Sequence, residues 1–423
     1  MRLILFDGPE EVRAGFYPLS LCRPVWELRC GMTTLGEKLV AKTGAKDVAS
    51  FVPPYMAEAY RRYVGGRVND PAALKGEDLF VVHGSLKAAT LDVAPVGPSQ
   101  VGVLGDMVAY VRVAKADLSR LDTDSMDAFL ATACRELPRV ACGAKRFAYI
   151  WEVMLESPHQ IAEDFKAAGR CGIEGTIEEP SAIRGDQKDV YVAPGCRIHP
   201  MVVIDATGGP VYLDEGVEVH PFTRIEGPAF VGKKSLLLGT KLREGCSIGP
   251  MCRLGGEVEE SVVHGYSNKY HDGFLGHAYV GEWVNLGALT TNSDLKNDYT
   301  TVEVIQNGKK IDTGSTKVGS IIGDHTKTSI GTLLNTGAIV GSMALIMATG
   351  EPLPKSIPSF AWFINGVVTK GFGRKVLYKT AATAMGRRKR QWTDADEAMW
   401  EVIYERTRAE REEAIKRGRR MGR

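Results

Sequence analysis

The chain has 423 residues, of which 44% are hydrophobic and 25% are charged, which is ordinary for a soluble globular protein and predicts two or three domains. Its formal net charge of +2 is too near zero to favour nucleic acid as a partner, and no apolar stretch is long enough for a signal peptide or a membrane span. The eight cysteines form no CxxC pair, so we expect reduced thiols, a cytoplasmic location and no structural metal.

Strand-like and helix-like patterns alternate over residues 1–180, which predicts a Rossmann-like α/β domain with a mainly parallel sheet. Runs rich in β-branched residues are expected to be strands: Arg2–Phe6, Asp78–Gly84 and Met107–Val113. A helix is expected over Gly31–Gly44, where Thr33 or Thr34 can cap its start. A second helical pattern covers Tyr149–Gly169 and is expected to restart at Ser157-Pro158.

From about Gly185, short aliphatic residues recur every six positions, with Gly, Pro and Asp between them. The series are Ile198 and Ile204; Val211 and Val217; Val219 and Ile225; Leu242, Ile248 and Leu254; and Ile322, Thr328, Leu334 and Val340. In a hexapeptide repeat, each triangular coil places such residues on the axis of a prism and turn residues at its corners. The pattern predicts a left-handed parallel β-helix over residues 181–375, whereas a β-sandwich would alternate with a period of two.

Reactive side chains are concentrated in residues 264–297, within these repeats. The stretch holds three of the eight histidines, His264, His271 and His277, together with several amides and lysines. An amine that attacks a thioester must lose a proton, and imidazole titrates near neutrality, so His271 suits the role of base, with backbone N–H groups of the turns available to an oxyanion. His271 could also simply hydrogen-bond a turn. A metal site is disfavoured, because the histidine spacings lack an acidic ligand motif.

The repeats are interrupted at Ser293–Gly314, where alternating residues around Asn307-Gly308 predict a type I′ hairpin that could cover a site in a neighbouring coil. Ser359–Gly366 is expected to be a capping strand. Residues 376–423 are expected to form a short basic helical tail, in which Asp394–Arg420 is one charged helix. The cationic run Arg387–Arg390 is either a solvated face or a contact for the phosphates of a nucleotide-type cofactor.

Several of these stretches resemble the GlmU-like bifunctional sugar nucleotidyltransferase/acetyltransferases, which make UDP-N-acetylglucosamine. In the amino-terminal part the likeness rests on LFDGPEEVRAGFYPLSLCRPVWELRCGMTTLGEKL (5–39) and YIWEVMLESPHQIAEDF (149–165), and in the second half on GGEVEES, NKYHDGFLG and EWVNLGALTTNSDLKN. A divergent bacterial branch of that family fits best. The resemblance implies a nucleotidyltransferase-like amino-terminal domain and a β-helix that transfers an acetyl group from acetyl-CoA to an amino sugar 1-phosphate.

The resemblance also implies site residues on the β-helix. In the family, a histidine three residues before an aromatic-Leu-Gly motif acts as base, and His271 precedes Phe274-Leu275-Gly276 at that spacing, with Phe where Tyr is usual. Asn285 matches a second catalytic position, an amide that contacts the sugar. Substrate-binding positions are implied for Arg243, Lys269, Phe274, Asn292 and Lys296.

One departure affects the acceptor. Glu259 and Glu260 stand where many family members carry a lysine pair for the substrate phosphate, and two carboxylates would repel that group. Either Lys269 or Lys241 substitutes for the pair, or the acceptor differs.

In the amino-terminal domain, FDGPEEVR replaces the family's Gly-rich loop. The implied nucleotide-binding positions are Gly8, Arg13, Arg23 and Lys38. Family enzymes hold Mg²⁺ through an aspartate after the middle strand, where this chain has Ser85, with Asp106 as a stand-in, so no metal ligand is assigned.

Two hypotheses follow. The chain is a sugar-nucleotide-forming transferase that uses acetyl-CoA, with Mg²⁺ if the first domain is active, or it is a non-catalytic sugar-nucleotide-binding or scaffold protein with a degenerate first domain.

A prism of three flat sheets cannot bury both sides of any sheet alone, so outward apolar residues need a partner. These residues are Val202, Phe222, Leu236, Met251, Trp283 and Ile321. Closed cyclic symmetry is the usual solution, and the resemblance implies a homotrimer with the acyltransferase site between subunits. The hairpin and the cationic tail would then reach a neighbour's coil and its CoA. The other expected partners are sugar phosphate, nucleotide and acyl-CoA, with no nucleic acid and no membrane.

Overall fold

The computed structural model describes residues 1–421, and the last two residues of the predicted tail lie outside the described chain. An α/β domain comes first, a triangular prism of parallel strands follows, and a helical tail ends the described chain. The predicted fold class, an α/β domain followed by a left-handed parallel β-helix and a helical tail, is confirmed. Among the described residues, no helix is both long and apolar enough to cross a bilayer.

The amino-terminal domain is built on one mixed sheet. In spatial order its strands are Arg67–Val68, Asp47–Phe51, Arg2–Phe6, Leu79–His83, Met107–Val113, Gln100–Leu104 and Arg139–Ala141. The first four are mutually parallel, but Met107–Val113 runs antiparallel to both of its neighbours. The predicted strands are confirmed. The expected mainly parallel sheet is also confirmed, because Gln100–Leu104 and Arg139–Ala141 run in the same direction as the first four strands. A small antiparallel pair, Arg29–Cys30 with Thr33–Thr34, lies beside it.

Several helices of this domain pack on the sheet, whereas the longest one, Ile150–Ala168, packs against the long face of the prism. The α-helices are Glu10–Arg13, Leu35–Thr43, Ala57–Val64, Met126–Glu136 and Ile150–Ala168. Short 3₁₀ turns lie at Ala14–Phe16, Leu19–Leu21, Val25–Glu27, Pro54–Met56, Pro71–Leu74, Ala88–Thr90, Lys115–Arg120 and, later, Gln187–Asp189. Thr34 caps Leu35–Thr43 reciprocally with Glu37, and Gly44 ends that helix at a φ of 64°.

The predicted restart at Pro158 is wrong, because Ile150–Ala168 is one continuous helix. Proline removes one backbone hydrogen bond from the helix interior. The apolar face of this helix is nevertheless fully buried on both sides of Pro158, at Met154 and Ile161, and this packing offsets the missing bond.

Three stacks of short parallel strands form the faces of the prism. The long face consists of Gly172–Ile173, Val190–Val192, Val211–Leu213, Ala229–Val231, Cys246–Ile248, Val262–Gly265, Tyr279–Glu282, Ile321–Ile322, Ile339–Val340 and Ser356–Ile357. The second face consists of Thr176–Ile177, Arg197–Ile198, Glu218–Val219, Leu236–Leu237, Arg253–Leu254 and Asn268–Lys269. The third face consists of Ala182–Arg184, Val203–Asp205, Arg224–Glu226, Lys241–Leu242, Glu257–Glu259 and Phe274–Gly276. The first prism strand thus begins at Gly172, within the span expected for the α/β domain.

Later strands extend the prism beyond residue 290. Thr291–Asn292 pairs with Leu333–Leu334, and single bridges at Asn285 join Asn268 to Lys327. A further stack contains Lys327–Thr328, Leu345–Ile346, Trp362–Ile364 and Val367–Thr369. Its last two strands form an antiparallel hairpin, so the predicted capping strand at Ser359–Gly366 is confirmed.

The residues of the hexapeptide series lie in the prism interior, as predicted. Ile198, Val219, Leu242 and Leu254 are fully buried in one continuous apolar core that runs along the prism. Fully burying such a side chain contributes about 1.5–3 kcal/mol, so the stack supplies a large part of the stability of the prism.

The amino-terminal domain covers the long face of the prism. Side chains of both parts share one core, which includes Phe16, Val25, Trp151, Val262, Tyr279 and Ile321. The Tyr279 hydroxyl accepts a hydrogen bond from the Arg29 N–H at 2.8 Å and donates one to the Arg29 carbonyl at 3.1 Å. The long face therefore finds its partner within the same chain.

Three of the six residues expected to be outward are covered within the chain: Val202 in the prism core, Ile321 in the core shared with the amino-terminal domain, and Trp283 beside the tail. Val202, Trp283 and Ile321 were expected to be outward and uncovered, but each is at most 9% exposed within the chain. Phe222 remains 75% exposed, and Leu236 and Met251 are half-buried.

The segment Ser293–Gly314 that interrupts the repeats, called the excursion below, forms the predicted hairpin, with strands Glu303–Gln306 and Lys309–Asp312. Asn307 and Gly308 have φ values of 50° and 75°, as a type I′ turn requires. The expectation that this hairpin reaches a neighbour's coil is wrong. Gln306 Nε2 donates to the carbonyls of Ala14 and Tyr17 at 2.9 and 3.0 Å, and Val302 and Val304 are buried in the shared core, so the hairpin docks on its own amino-terminal domain.

The tail folds into helices Arg374–Gly386, Asp394–Arg406 and Arg408–Met421. The single helix predicted over Asp394–Arg420 is therefore interrupted at Thr407, which lies outside helical geometry and donates its hydroxyl to the Ile403 carbonyl at 2.9 Å. Trp400 and Ile403 are buried against the rest of the protein.

Candidate functional site

The buried ion pair between Arg13 and Asp7 holds the loop after the first strand. Arg13 Nε donates to Asp7 Oδ2 at 2.6 Å, and Asp7 Oδ1 accepts from the Val25 N–H at 2.8 Å. Burial raises the pKa of Asp7 even though Arg13 opposes the shift. Arg13, predicted to contact nucleotide phosphates, therefore neutralises a carboxylate of the chain itself.

Gly8 lies against a buried histidine. A Cβ added to Gly8 would stand 2.4 Å from His83 Nε2, and the φ of Gly8 is 50°, so only glycine fits there without strain. Burial lowers the pKa of His83 to about 3, which keeps the imidazole neutral.

Two further cations predicted to contact nucleotide are also paired inside the chain. Arg23 makes a two-pronged contact with Asp324 of the prism, with Nη1–Oδ2 at 3.1 Å, and its Nη2 lies 3.5 Å from Glu282 Oε2. Lys38 pairs with Asp164 on the long helix Ile150–Ala168. Contacts from these cations to nucleotide phosphates would require the ion pairs to open.

Ser85 and Asp106, the two positions considered for Mg²⁺, do not form a site together, because Ser85 is buried and Asp106 is exposed. The Ser85 hydroxyl is buried 3.0 Å from His83 Nδ1, and Asp106 is exposed in the turn before Met107–Val113. Mg²⁺ usually combines one or two carboxylates with substrate phosphates, so any such site would depend on bound nucleotide.

The carboxylates at 259 and 260 are neutralised by nearby cations. Glu259 Oε1 lies 3.2 Å from Lys317 Nζ, and Glu259 Oε2 lies 3.7 Å from Arg243 Nη1. Glu260 Oε2 lies 3.3 Å from His277 Nε2. Arg243, predicted to hold a substrate phosphate, is also within 3.5 Å of three further glutamates: Glu226, Glu244 and Glu257.

His277 connects the start of the excursion, at Asp294, to Glu260. Its Nδ1 lies 2.8 Å from Asp294 Oδ2, and Glu260 contacts its other nitrogen. Burial alone would lower the pKa of His277, but the two carboxylates raise it to about 9, so the imidazolium form is held. This contact ties the first residues of the excursion to the third face.

Other predicted substrate residues serve the coil backbone. Lys269 lies at an inward position beside Leu254, where Nζ donates to the carbonyls of Gly255 and His271 at 2.9 and 3.1 Å. Burial lowers the pKa of Lys269 to about 8. The Asn292 side chain binds the Gly276 backbone twice: Nδ2 donates to the Gly276 carbonyl and Oδ1 accepts from the Gly276 N–H, at 2.8 Å each.

The remaining predicted positions are more accessible. Phe274 is half-buried, and its N–H donates to Thr291 Oγ1 at 3.3 Å. Lys296 lies on the excursion, where Nζ is 3.5 Å from Asp298 Oδ1. His271 is exposed in the turn that follows Asn268–Lys269.

Asn285 lies in a groove of about 450 Å³ between the second face of the prism and the helix Arg374–Gly386. We call it the cationic groove. Its lining consists of the cations Lys327, Lys379, Arg387 and Arg388, the polar residues Asn268, Asn285, Thr380 and Thr383, and the apolar or aromatic residues Tyr266, Trp283, Val284, Val376 and Ala384. Among the described residues, no aspartate or glutamate lines it.

The charges in the cationic groove are crowded. Burial lowers the pKa of Arg388, and neighbouring Arg253 and Arg387 lower it further. Arg388 Nη2 donates to Asn268 Oδ1 at 3.0 Å, and Asn268 Nδ2 donates to Asn285 Oδ1 at 3.3 Å. Cations held together without carboxylates favour a bound anion, so the groove suits a phosphate-bearing ligand.

A second cavity of about 280 Å³ adjoins the cationic groove and shares Tyr266 and Trp283 with it. These two rings stack with centroids 4.4 Å apart, and Arg390 lies over Tyr266. The α/β domain contributes Arg23, and the tail contributes Trp392. The cavity thus exists only where the three parts of the chain meet.

Asn285 and the predicted cationic run are distant in sequence, and the structure brings Arg387 and Arg388 of that run into the same groove as Asn285. Lys327, Lys379 and the ring pair Tyr266–Trp283 were not predicted from the sequence. The available signal was the lack of acidic residues in the first tail helix, whose sequence RKVLYKTAATAMG carries only cations among its charged side chains.

Comparison with known proteins agrees with this architecture. Residues 3–170 match the family described as sugar nucleotidyl transferase. A bifunctional sugar-1-phosphate nucleotidylyltransferase/acetyltransferase of Sulfurisphaera tokodaii is 34% identical over 149 residues, which cover 33% of this chain and 35% of that protein. Bifunctional GlmU proteins of Heliobacterium modesticaldum and Methylibium petroleiphilum are 25% and 28% identical, covering 40% and 49% of this chain and 40% and 41% of those proteins.

The resemblance to the bifunctional nucleotidyltransferase/acetyltransferase family is therefore confirmed, at low identity. The chain spans between 35% and 41% of the length of these three relatives.

The raised pKa of His277 predicts a pH-dependent stability. The His277→Gln variant loses an imidazolium between two carboxylates, and we expect the free energy of unfolding to fall by about 2 kcal/mol at pH 6. Because the folded pKa of about 9 exceeds the unfolded value near 6.5, this contribution is complete below the unfolded pKa and is lost as pH rises through 9. Urea unfolding at pH 6 and pH 9.5 measures it.

The matched control for this variant is His159→Gln, since the His159 side chain is 68% exposed. We expect that control to change stability little at either pH. An equal loss for His277→Gln at both pH values would contradict the charged form.

Proposed function

We propose that this protein is a transferase of sugar-nucleotide biosynthesis. Its β-helix would transfer the acetyl group of acetyl-CoA to an amino sugar 1-phosphate, as in the UDP-N-acetylglucosamine type of pathway. The names of the bifunctional relatives support the reaction class. The observation that carries the proposal is the cationic groove, in which Asn285 lies among Lys379, Arg387 and Arg388.

The donor fits the charge of this groove. Coenzyme A carries several phosphate charges at one end and a long, weakly polar arm ending in the thiol. Lys379, Arg387 and Arg388 would neutralise the phosphates, while Val284 and Val376 offer an apolar wall to the arm. In this proposal, Arg387 and Arg388 of the cationic run contact a donor that is bound on the prism of their own chain.

His271 is the proposed base. It is exposed in the turn after Asn268, and Asn268 itself lines the cationic groove. The amine of the acceptor attacks the thioester carbonyl and gives its proton to His271, while the C–S bond breaks and coenzyme A leaves as the thiol after protonation. Asn285 would position the sugar, and backbone N–H groups of the turns would stabilise the oxyanion.

Arg243, Lys269, Phe274, Asn292 and Lys296 remain proposed substrate-binding positions. The intrachain contacts of Arg243, Lys269 and Asn292 favour an orienting role, whereas Phe274 and Lys296 are open to direct contact.

A homotrimer in the cytoplasm is also proposed. Exposed Phe222 and half-buried Leu236 and Met251 support a further subunit contact.

Removing two groove cations should weaken donor binding. We expect Arg387→Ala combined with Arg388→Ala to weaken acetyl-CoA binding roughly tenfold to a hundredfold, because each of these partly exposed cations contributes about 1 kcal/mol after solvent screening. Isothermal titration measures the affinity, and the difference should shrink at high salt. Arg417→Ala, which removes a 65% exposed cation from the last helix, is the control. Unchanged affinity in the double variant would contradict the groove as the donor site.

Loss of the proposed base should abolish turnover and spare binding. We expect His271→Ala to lower the rate of acetyl transfer on the order of 10²-fold or more, as for a lost general base, with acetyl-CoA affinity retained. Release of free coenzyme A thiol measures turnover. His159→Ala, which removes a 68% exposed imidazole outside the groove lining, controls for the loss of a histidine. Wild-type turnover in His271→Ala would remove this residue from the mechanism.

The family match of residues 3–170 favours nucleotidyl transfer as a second activity. Gly8, Arg13, Arg23 and Lys38 are its proposed nucleotide contacts, and added Mg²⁺ would accompany the nucleotide phosphates. The non-catalytic scaffold is not favoured by relatives that are named as bifunctional enzymes.

Pyrophosphate release from a nucleoside triphosphate and a sugar phosphate, with Mg²⁺, tests this activity. We expect Lys38→Met to reduce the rate strongly, because phosphoryl chemistry depends on charge neutralisation. Asp164→Asn breaks the same ion pair but leaves the cation, so it should retain the rate. No release from any substrate pair would show that the domain has lost the activity.

A further inference from the structure

Two histidines and a glutamate converge on the second face of the prism, near its amino-terminal end. Glu218 Oε1 lies 3.0 Å from His199 Nε2 and 3.4 Å from His220 Nε2. The ligand atoms of the three side chains all lie within 4.8 Å of one another. The imidazole centroids are 4.9 Å apart, with 34° between the ring planes.

The β-helix holds these side chains in place. Arg197 pairs with Glu218 and Ile198 with Val219, so the register sets His199 directly beside His220 in the next coil. The backbone N–H groups of both histidines donate to carbonyls of the following coil, at 2.9 and 2.8 Å. Ile198 and Val219, which precede the histidines, are fully buried in the prism core. The imidazoles therefore project from a rigid frame, as a preorganised site requires.

The separations fit a tetrahedral ion. Zinc binds imidazole nitrogen and carboxylate oxygen at about 2.0–2.2 Å, so neighbouring ligand atoms of a tetrahedron lie roughly 3.3–3.5 Å apart. The contacts of 3.0 and 3.4 Å from Glu218 Oε1 to the two imidazoles are close to that value, and the remaining separation, within 4.8 Å, would close as the ion binds. Two imidazoles and one carboxylate select an ion of the zinc class over Mg²⁺ or Ca²⁺, which prefer oxygen ligands.

A second observation points into this cluster. His220 Nε2 is buried, and its 3.4 Å contact with Glu218 Oε1 lacks hydrogen-bond geometry, so among the described residues it has no hydrogen-bond partner. A buried polar atom left without a partner is costly. The cluster remains reachable from solvent, since the side chains of His199, Glu218 and His220 are 18%, 39% and 36% exposed. The nearby cation Arg197 already pairs with Glu178 at 2.6 Å.

We propose that His199, Glu218 and His220 form a mononuclear site for a divalent transition-metal ion of the zinc class. His199 Nε2, His220 Nε2 and a Glu218 carboxylate oxygen are the ligands, and a fourth position is open to solvent. The site does not depend on the proposed acetyl transfer, because none of its residues lines the cationic groove.

Cobalt provides a direct readout of this site. Full-length protein is stripped with a chelator and titrated with Co²⁺, whose visible absorption becomes intense in tetrahedral coordination, and Zn²⁺ is then added to displace it. We expect one Co²⁺ per chain, displaced by one Zn²⁺. We expect His199→Ala and His220→Ala each to weaken binding roughly a hundredfold.

Two further variants keep the test interpretable. Glu218→Gln retains the side-chain shape and should weaken binding without altering the fold, which circular dichroism checks. His159→Ala removes an exposed histidine elsewhere and should bind Co²⁺ as the wild type does. Absence of saturable binding by the wild type, or wild-type affinity in the His199→Ala and His220→Ala double variant, would overturn the proposal.

Discussion

A two-pronged ion pair between Arg23 and Asp324 joins the amino-terminal domain to the prism across 301 residues of sequence. Both side chains are at most 10% exposed, so each charge is compensated by the other and not by water. Removing one partner of a buried pair typically costs about 3–5 kcal/mol, because the remaining charge is left without compensation. Glu282 lies beside this pair and in turn contacts His264, which extends the polar contact into the preceding coil.

The position of the α/β domain on the long face determines where the cavities form. With that face covered by the chain itself, the tail helices pack between the domain and the prism and enclose Tyr266 and Trp283. The cationic groove then lies on the second face, where Arg388 reaches Asn268. Cations in the first domain are used to hold its parts together, whereas cations in the groove have no carboxylate facing them among its lining residues. Because the groove cations remain available to an anionic ligand, this contrast favours the β-helix as the location of the ligand site.

Local patterns predicted the local structure well. The six-residue spacing of Leu242, Ile248 and Leu254 specifies prism geometry, because each coil repeats the same burial. Asn307-Gly308 specifies its turn through the positive φ values that a type I′ turn needs. The helix restart predicted at Pro158 was wrong, because the buried apolar face of the helix outweighs one missing backbone hydrogen bond.

The candidate site was harder to predict, since it depends on contacts between distant parts of the chain. Asn285 was identified from a motif, but the sequence does not say that Arg388 packs 120 residues away on Asn268. The pairing of His199 with His220 was also not predicted, because it depends on the register between neighbouring strands of the prism. His199 and His220 both occur in a hydrophobic-His-Pro tripeptide, and only the stacking of successive coils turns that repeat into a pair.

Amide hydrogen exchange in the presence of acetyl-CoA tests the central claim, that the cationic groove binds the acyl donor, most directly. The account predicts slower exchange in residues 266–285 and 374–388, on opposite walls of the groove, with little change in residues 1–170. Protection confined to residues 1–170, or no protection at saturating acetyl-CoA, would contradict it.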